Sequence, residues 1–222
     1  MFKFKGISST DMGVFITEHF PLPVSVAREE EEVIPGRDGV VTFSDGSYEG
    51  SEISGKVCVI PTTNLDAVVK WLQGWGELTI PGAEDRYYIA KVSNIVPISQ
   101  FIRNEVYEIP ITFKCQPFGY LLSGKPSVSF TSGKVTNLGN HTAKPTIKFN
   151  GGLCSITING RSFSVTAPSG AEVVIDCEIE EAIDLTNKKY LPTKGEFPYF
   201  DEGENTVTCS SGLTIQYNWR ML

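Results

Sequence analysis

The sequence predicts a mainly β protein in two parts: an N-terminal β domain carrying one α-helix, then a C-terminal β-sandwich of the jelly-roll kind. Three observations lead there. Short runs of four to eight residues alternate apolar with polar along most of the chain, the period of half-buried strands. Gly (21) and Pro (13) punctuate those runs at turn-like intervals. Helical periodicity is confined to a single stretch, and from Ser127 onward strands recur every 8–12 residues with no helix between them. A length of 222 residues suits two domains. The expected boundaries are residues 1–122, a connector at 123–126, and 127–222.

Composition narrows the function classes. A formal net charge of −7 argues against a nucleic-acid surface, where clustered Lys and Arg are expected. No run approaches the roughly 18 apolar residues of a membrane span. Met1–Gly6 alternates apolar and basic residues and lacks the apolar centre of a signal peptide. The five cysteines (Cys58, Cys115, Cys154, Cys177 and Cys209) are odd in number, widely spaced and without a C-x-x-C pair. They read as small buried hydrophobes of a protein folded in a reducing cytoplasm.

In order, residues 2–4 and 14–16 are strands around a polar turn, and Pro21 and Pro23 interrupt the next stretch. Val24–Ala27 opens a strand that runs through Glu29, Glu30, Glu31 and Glu32 into Ile34-Pro35-Gly36-Arg37-Asp38-Gly39. Pro35 presets the first corner of a turn, and Gly36 supplies the positive φ of a type II second corner. Asp38-Gly39 is a further turn signal. Arg37 is carried between them. Two readings are open: a plain hairpin connection with a solvated Arg, or a shaped contact loop for a partner subunit made of Pro35, Gly36, Arg37, Asp38 and Gly39. If that strand is extended, alternate glutamates face opposite sides; they are either a solvated strand end or present one face to a basic neighbour. Val40–Phe43, a turn at Ser44–Ser47, and a strand at Glu52–Ile60 come next.

The helix is expected over 63–75, capped by Thr62 or Thr63. Val68, Trp71, Leu72 and Trp75 then form one apolar stripe over a sheet, and Gly74 and Gly76 end it. Next come strands at Glu77–Pro81 and Arg86–Pro97, a polar stretch at Ser99–Asn104, and a strand at Val106–Cys115 whose Pro110 suggests an edge or a bulge. In the second half, Asn159-Gly160 is the strongest hairpin signal. Gly151-Gly152 reads as a loop, and residues 178–203 as a turn-rich excursion bearing Tyr190, Phe197, Tyr199 and Phe200.

A search for chemistry finds little. No nucleophile elbow, zinc-protease, phosphate-loop or dinucleotide pattern occurs. The candidate paired carboxylates are Asp176, Glu178, Glu180 and Glu181; the first three would share a face only if their strand continued, with alternate acids roughly 6.5 Å apart along it. The excursion's aromatics suit either a sugar platform or a cover over an open core edge. The sequence therefore nominates no catalytic, cofactor-binding or metal-ligating residue.

Other pieces add up differently. They are Ile34–Gly39, Trp71-Leu72-Gln73-Gly74-Trp75-Gly76 and Phe113-Lys114-Cys115-Gln116-Pro117-Phe118 in the first half. In the second half they are Asn137-Leu138-Gly139 with Pro145 and Gly151, then Ile175-Asp176-Cys177, Gly195-Glu196-Phe197-Pro198, Gly203-Glu204-Asn205 and Trp219-Arg220. In this order, over nearly the whole chain, the sequence resembles the distal tail proteins of siphophages and of related prophages in Gram-positive bacteria. The resemblance implies a non-enzymatic structural protein without cofactors, located at the virion tail tip. Its N-terminal domain would close into a ring, a hexamer, between the tail tube with its tape measure and the tail-associated and receptor-binding proteins of the baseplate. Its C-terminal domain would be a galectin-like sandwich serving host attachment. The resemblance implies neither specific nucleic-acid binding nor membrane contact. Glu29–Glu32 would then line the lumen, where carboxylates repel passing DNA, or a subunit seam. Strands such as Val106–Cys115 would be paired or covered by the neighbour. The runner-up reading is a carbohydrate-binding module or glycosidase-like jelly roll.

Overall fold

The computed structural model describes all residues except 61–62, 94–98 and 103–105, and for 99–102 and 106 the backbone alone. The chain forms two compact units, Met1–Gly119 with Leu222, and Tyr120–Met221. Both are β structures, with one α-helix among the described residues.

The first unit contains β1 (Lys3–Phe4), β2 (Ile7–Ser8), β3 (Val14–Glu18), β4 (Val26–Glu32), β5 (Val41–Glu49) and β6 (Glu52–Val59). They are followed by α1 (Leu65–Leu72), β7 (Trp75–Thr79), β8 (Arg86–Val92), β9 (Ser99–Ile102) and most of β10 (Val106–Leu121). The main sheet has the order β2-β1-β7-β8-β10-β6-β3, with β9 on β10. Period-2 alternation puts Ile53, Val57 and Val59 of β6 on the same side as Ile109, Ile111 and Phe113 of β10. α1 closes that side through Val68, Trp71 and Leu72. Trp71 stacks on Phe2 at 5.6 Å and donates its Nε1–H to the Phe4 carbonyl at 2.9 Å, so its one polar atom is satisfied inside the core. Phe113 sits against Phe2, Phe4 and Phe20 at 5.6–5.9 Å.

Several expectations change here. The helix is shorter than 63–75. Its cap is Asn64, whose Oδ1 accepts from the Ala67 N–H at 3.2 Å, and it ends before Gly74, whose φ of +77° no helix accommodates. Thr62 lies outside the described residues. Trp75 therefore leaves the apolar stripe and begins β7 with 47% of its surface exposed. Val106–Cys115 is not an edge. It lies between β8 and β6, and Pro110 is paired in register with Lys56. The strand also continues to Leu121, through residues expected to leave the sheet. β8 ends at Val92; the rest of the expected strand, from Asn94 to Pro97, lies outside the described residues. Ser99–Ile102 pairs with β10, and Asn104 lies outside the described residues.

The second unit contains β11 (Val128–Phe130), β12 (Gly133–Asn137), β13 (Thr146–Ile158), β14 (Arg161–Asp176) and β15 (Glu181–Asp184). Then come β16 (Lys189–Tyr190), β17 (Thr193–Gly195), β18 (Gly203–Cys209), β19 (Leu213–Gln216) and β20 (Arg220–Met221). β13 and β14 form one long hairpin across Asn159-Gly160. The register shifts between Asn150 and Gly152, and both glycines there have positive φ, 64° and 80°. A Cβ at Gly151 would lie 2.4 Å from the Pro168 carbonyl oxygen. Gly151-Gly152 is thus a bend inside a strand, not a loop. Before the bend β13 pairs with β19, and after it with β18. The hairpin's two halves close over one core that includes Ile147, Ile156, Phe163, Val173 and Phe200.

Among the cysteines, Cys115, Cys154 and Cys177 are buried, and all five are free thiols. Burial pushes the Cys115 thiol to about 12 and the Cys154 thiol to about 11, so these behave as packing groups.

Asp201 ties the hairpin to the 199–205 segment. It accepts from Arg161 Nη2 at 2.8 Å and Asn159 Nδ2 at 2.7 Å, while the Arg161 guanidinium lies 3.8 Å over the Tyr199 ring. Burial alone would raise its carboxyl, but the Arg161 and Asn159 donors outweigh burial and hold it below the usual range. A depressed folded pKa gives stability that is present above the unfolded value and lost as pH falls through the folded one. Asp201→Asn is therefore expected to flatten the loss of stability below about pH 4, read by denaturant unfolding followed through Trp219 emission. An unchanged acid limb would show that the group does not titrate with folding.

Candidate functional site

β4 and β5 form a two-stranded sheet separate from the main sheet of their unit. Seven residues of β4 reach about 20 Å, and every residue from Glu29 to Val40 is exposed. The hairpin is an arm. At its root Ser25 donates to the Pro117 carbonyl, and Tyr48 packs edge-on against Phe118 at 5.7 Å. Arg28 faces Glu49 at 3.8 Å. Ser44–Ser47, expected as a turn, is instead part of β5. It forms an irregular stretch where the register shifts between Ala27 and Glu29. Gly46 takes a φ of +76°, and Asp45 accepts from the Ser47 N–H at 2.8 Å.

The tip has the turn geometry that Pro-Gly predicts. The Arg37 N–H donates to the Ile34 carbonyl at 3.1 Å, with Pro35 and Gly36 at the corners. Gly36 and Gly39 have φ of +84° and +80°. Pro35, Gly36, Arg37, Asp38 and Gly39 are all exposed.

The register divides the acids. Glu30 is opposite Phe43 and Glu32 opposite Val41, so these four share one face of the arm. Glu29 is opposite Ser44 and Glu31 opposite Thr42 on the other, wholly polar face. The first face is amphipathic, with Phe43 56% exposed beside Glu30; Val33, Ile34 and Val40 are exposed at the tip. The strand period alone predicts that alternate glutamates face opposite sides; which face carries Phe43 and Val41 depends on the β5 register.

The second unit's candidate acids do not assemble. β14 ends at Asp176, whose Oδ1 accepts from the Glu178 N–H at 2.9 Å to start a turn, and Glu180 has a φ of +58°. Asp176, Glu178 and Glu180 therefore share no strand face. Glu178 pairs with Arg220, whose side chain is almost wholly buried. Of the four aromatics, Phe200 is buried, Phe197 packs on Phe163 at 4.9 Å, Tyr199 lies under Arg161, and Tyr190 is exposed. Among the described residues no cluster of three or more His, Cys, Asp or Glu could hold a metal, and no helix is long and apolar enough to cross a membrane.

No family model and no curated protein matches the sequence. Among solved structures, the fold is similar to that of SPP1 Dit (gp 19.1), described as a paradigm of the hub adsorption apparatus in phages that infect Gram-positive bacteria. The TM-score is 0.67 at 15% identity, over 96% of this chain and 96% of that one.

Proposed function

We propose that this chain is a structural distal tail protein of a siphophage or prophage, a hub at the virion tail tip. The observation that carries the reading is the end-to-end likeness of a two-unit β fold to a phage hub protein. The arm supports it independently. A strand pair that leaves its sheet and exposes Phe43, Val33 and Ile34 adds to neither core. Such a feature suits a contact between chains.

In this reading the first unit assembles head to tail into a closed ring, a hexamer. The ring joins the tail tube and tape measure on one side to tail-associated and receptor-binding proteins on the other. The tip residues Pro35–Gly39 form part of the subunit interface, with Arg37 donating charge-assisted hydrogen bonds to the neighbour. Glu30 and Glu32, beside Phe43 and Val41, lie at the seam. Glu29 and Glu31, on the polar face, border the lumen, where they repel the phosphates of passing DNA. The second unit is the galectin-like platform for the attachment proteins. The chain needs no catalytic group or cofactor for this work.

Negative-stain electron microscopy of the purified chain tests the reading. Closed annular particles with a central opening are expected. Single-copy particles under all conditions, alone or with the tube protein, would overturn it.

A further inference from the structure

Building on the ring reading, we infer that the acidic, apolar face of the arm docks on a specific basic–aromatic patch of a second copy, centred on Trp75. The patch lies on the outer side of the first unit's sheet. Leu78 and Ala90 point into the core, so Trp75 and Lys91, opposite each other in register, point out. The Lys91 ammonium sits 5.2 Å over the Trp75 ring. Lys5 lies on the inner side: its stem occupies the space beside a Cβ on Gly76, which alternates with Trp75, and its ammonium donates to the Gln73 carbonyl at the end of α1. Lys3, opposite Thr79, is exposed on the same outer side as Trp75. Glu77 is the acid that shares this side of β7.

An indole 47% exposed beneath a lysine ammonium is unusual for a free surface and common at the centre of an interface. Of the chain's three tryptophans, Trp71 and Trp219 are buried, at 7% and 3% exposure, so the exposed one stands out. The arm face offers what this patch lacks: Phe43 and Val41 to cover the ring, and Glu30 and Glu32 to meet Lys91 and Lys3. Both surfaces are about one strand pair wide.

Placement favours a head-to-tail contact. The arm root rests on Pro117 and Phe118. The next residue, Gly119, packs against Tyr88 and Arg86, where a Cβ would meet Tyr88 Cε1 at 2.9 Å. Lys91 is five residues further along β8, about 17 Å away. Arm root and patch thus lie toward opposite ends of the same strands. Donor and acceptor surfaces on different sides of one unit make heterologous contacts, the kind that closes rings.

The test measures self-association of the full chain by light scattering across a concentration series, with circular dichroism to verify folding. Acrylamide quenching of tryptophan emission reports on Trp75 directly, since it is the accessible indole. In the wild type the quenchable fraction should fall as the assembly forms. Trp75→Ala, Lys91→Glu and Glu30→Lys with Glu32→Lys should each weaken association about tenfold or more without loss of fold, as central interface residues do. Combining Lys91→Glu with Glu30→Lys and Glu32→Lys should recover association relative to either parent. If the wild type assembles while Trp75→Ala and Lys91→Glu assemble equally well, or the combined variant is no better than its weaker parent, this docking is overturned and the ring reading stands. If the wild type stays monomeric throughout, both alone and with the tube protein added, the ring reading itself fails.

Discussion

Replacing Glu30–Phe43 by Asn-Gly is expected to abolish self-association and leave the fold intact. The cut joins Glu29 to Ser44, which are opposite each other in the arm, through the two-residue turn that antiparallel strands accept most readily. Nothing in the removed segment belongs to the first unit's core, which is built from residues such as Phe2, Trp71, Val57 and Phe113. The removed side chains are exposed or half-buried, so the denaturation midpoint should move by no more than about 0.5 kcal/mol in equivalent stability. Assembly should vanish, because the deletion takes Arg37, the apolar tip and two seam glutamates together. Light scattering checks the first outcome and urea unfolding the second. An excised chain that still assembles would show that the arm is not the interface.

Phe200→Ala is expected to cost the second unit about 3–5 kcal/mol, the range for a fully buried aromatic. Its ring is 0% exposed and meets Phe130 at 6.3 Å, Tyr217 at 5.6 Å and Trp219 at 5.4 Å, so truncation opens a cavity among rings that cannot easily collapse. Tyr190→Ala, 71% exposed, should change stability by less than about 0.5 kcal/mol. The pair also separates the structural reading from a sugar-binding one. On a sugar platform the aromatics of the 178–203 excursion would be exposed together; here Phe200 is core and Tyr190 stands alone among the four. A cost below about 1 kcal/mol for Phe200→Ala would contradict this packing. Glycan-array binding lost in Tyr190→Ala would restore the carbohydrate reading.

Short-range chemistry makes much of the molecule legible. Pro35-Gly36 and Asn159-Gly160 specify turns through their own φ preferences, and they fold as expected. Alternation in Glu52–Val59 and Leu213–Gln216 reports which residues face a core, because one side of each strand is buried. The mainly β class follows from many such local signals. The misreadings arise where two local signals compete or where long-range partners decide. Trp75 continues the helical spacing of Trp71 and Leu72, but Gly74 ends the helix first and hands it to a strand. Pro110 suggests an edge, yet its strand has neighbours on both sides. Gly151-Gly152 looks like a loop because a bend inside a 13-residue strand uses the same residues as a turn. The acid run and its alternation between two faces are visible at once, but which pair of glutamates shares a face with Phe43 and Val41 needs the β5 register. Helical spacing alone assigns Trp75, the centre of the proposed acceptor, to the core. Its exposure can be anticipated only by letting Gly74 stop the helix one turn earlier.

The most direct measurement of the central claim is the mass of the intact chain in solution, by sedimentation velocity or light scattering, alone and with the tube protein of the same tail. The account predicts one closed species of hexamer mass whose sedimentation fits a flat ring, and which does not grow further with concentration. A monomer at every concentration and with the tube protein present, or an open-ended series of ever larger species, would contradict it.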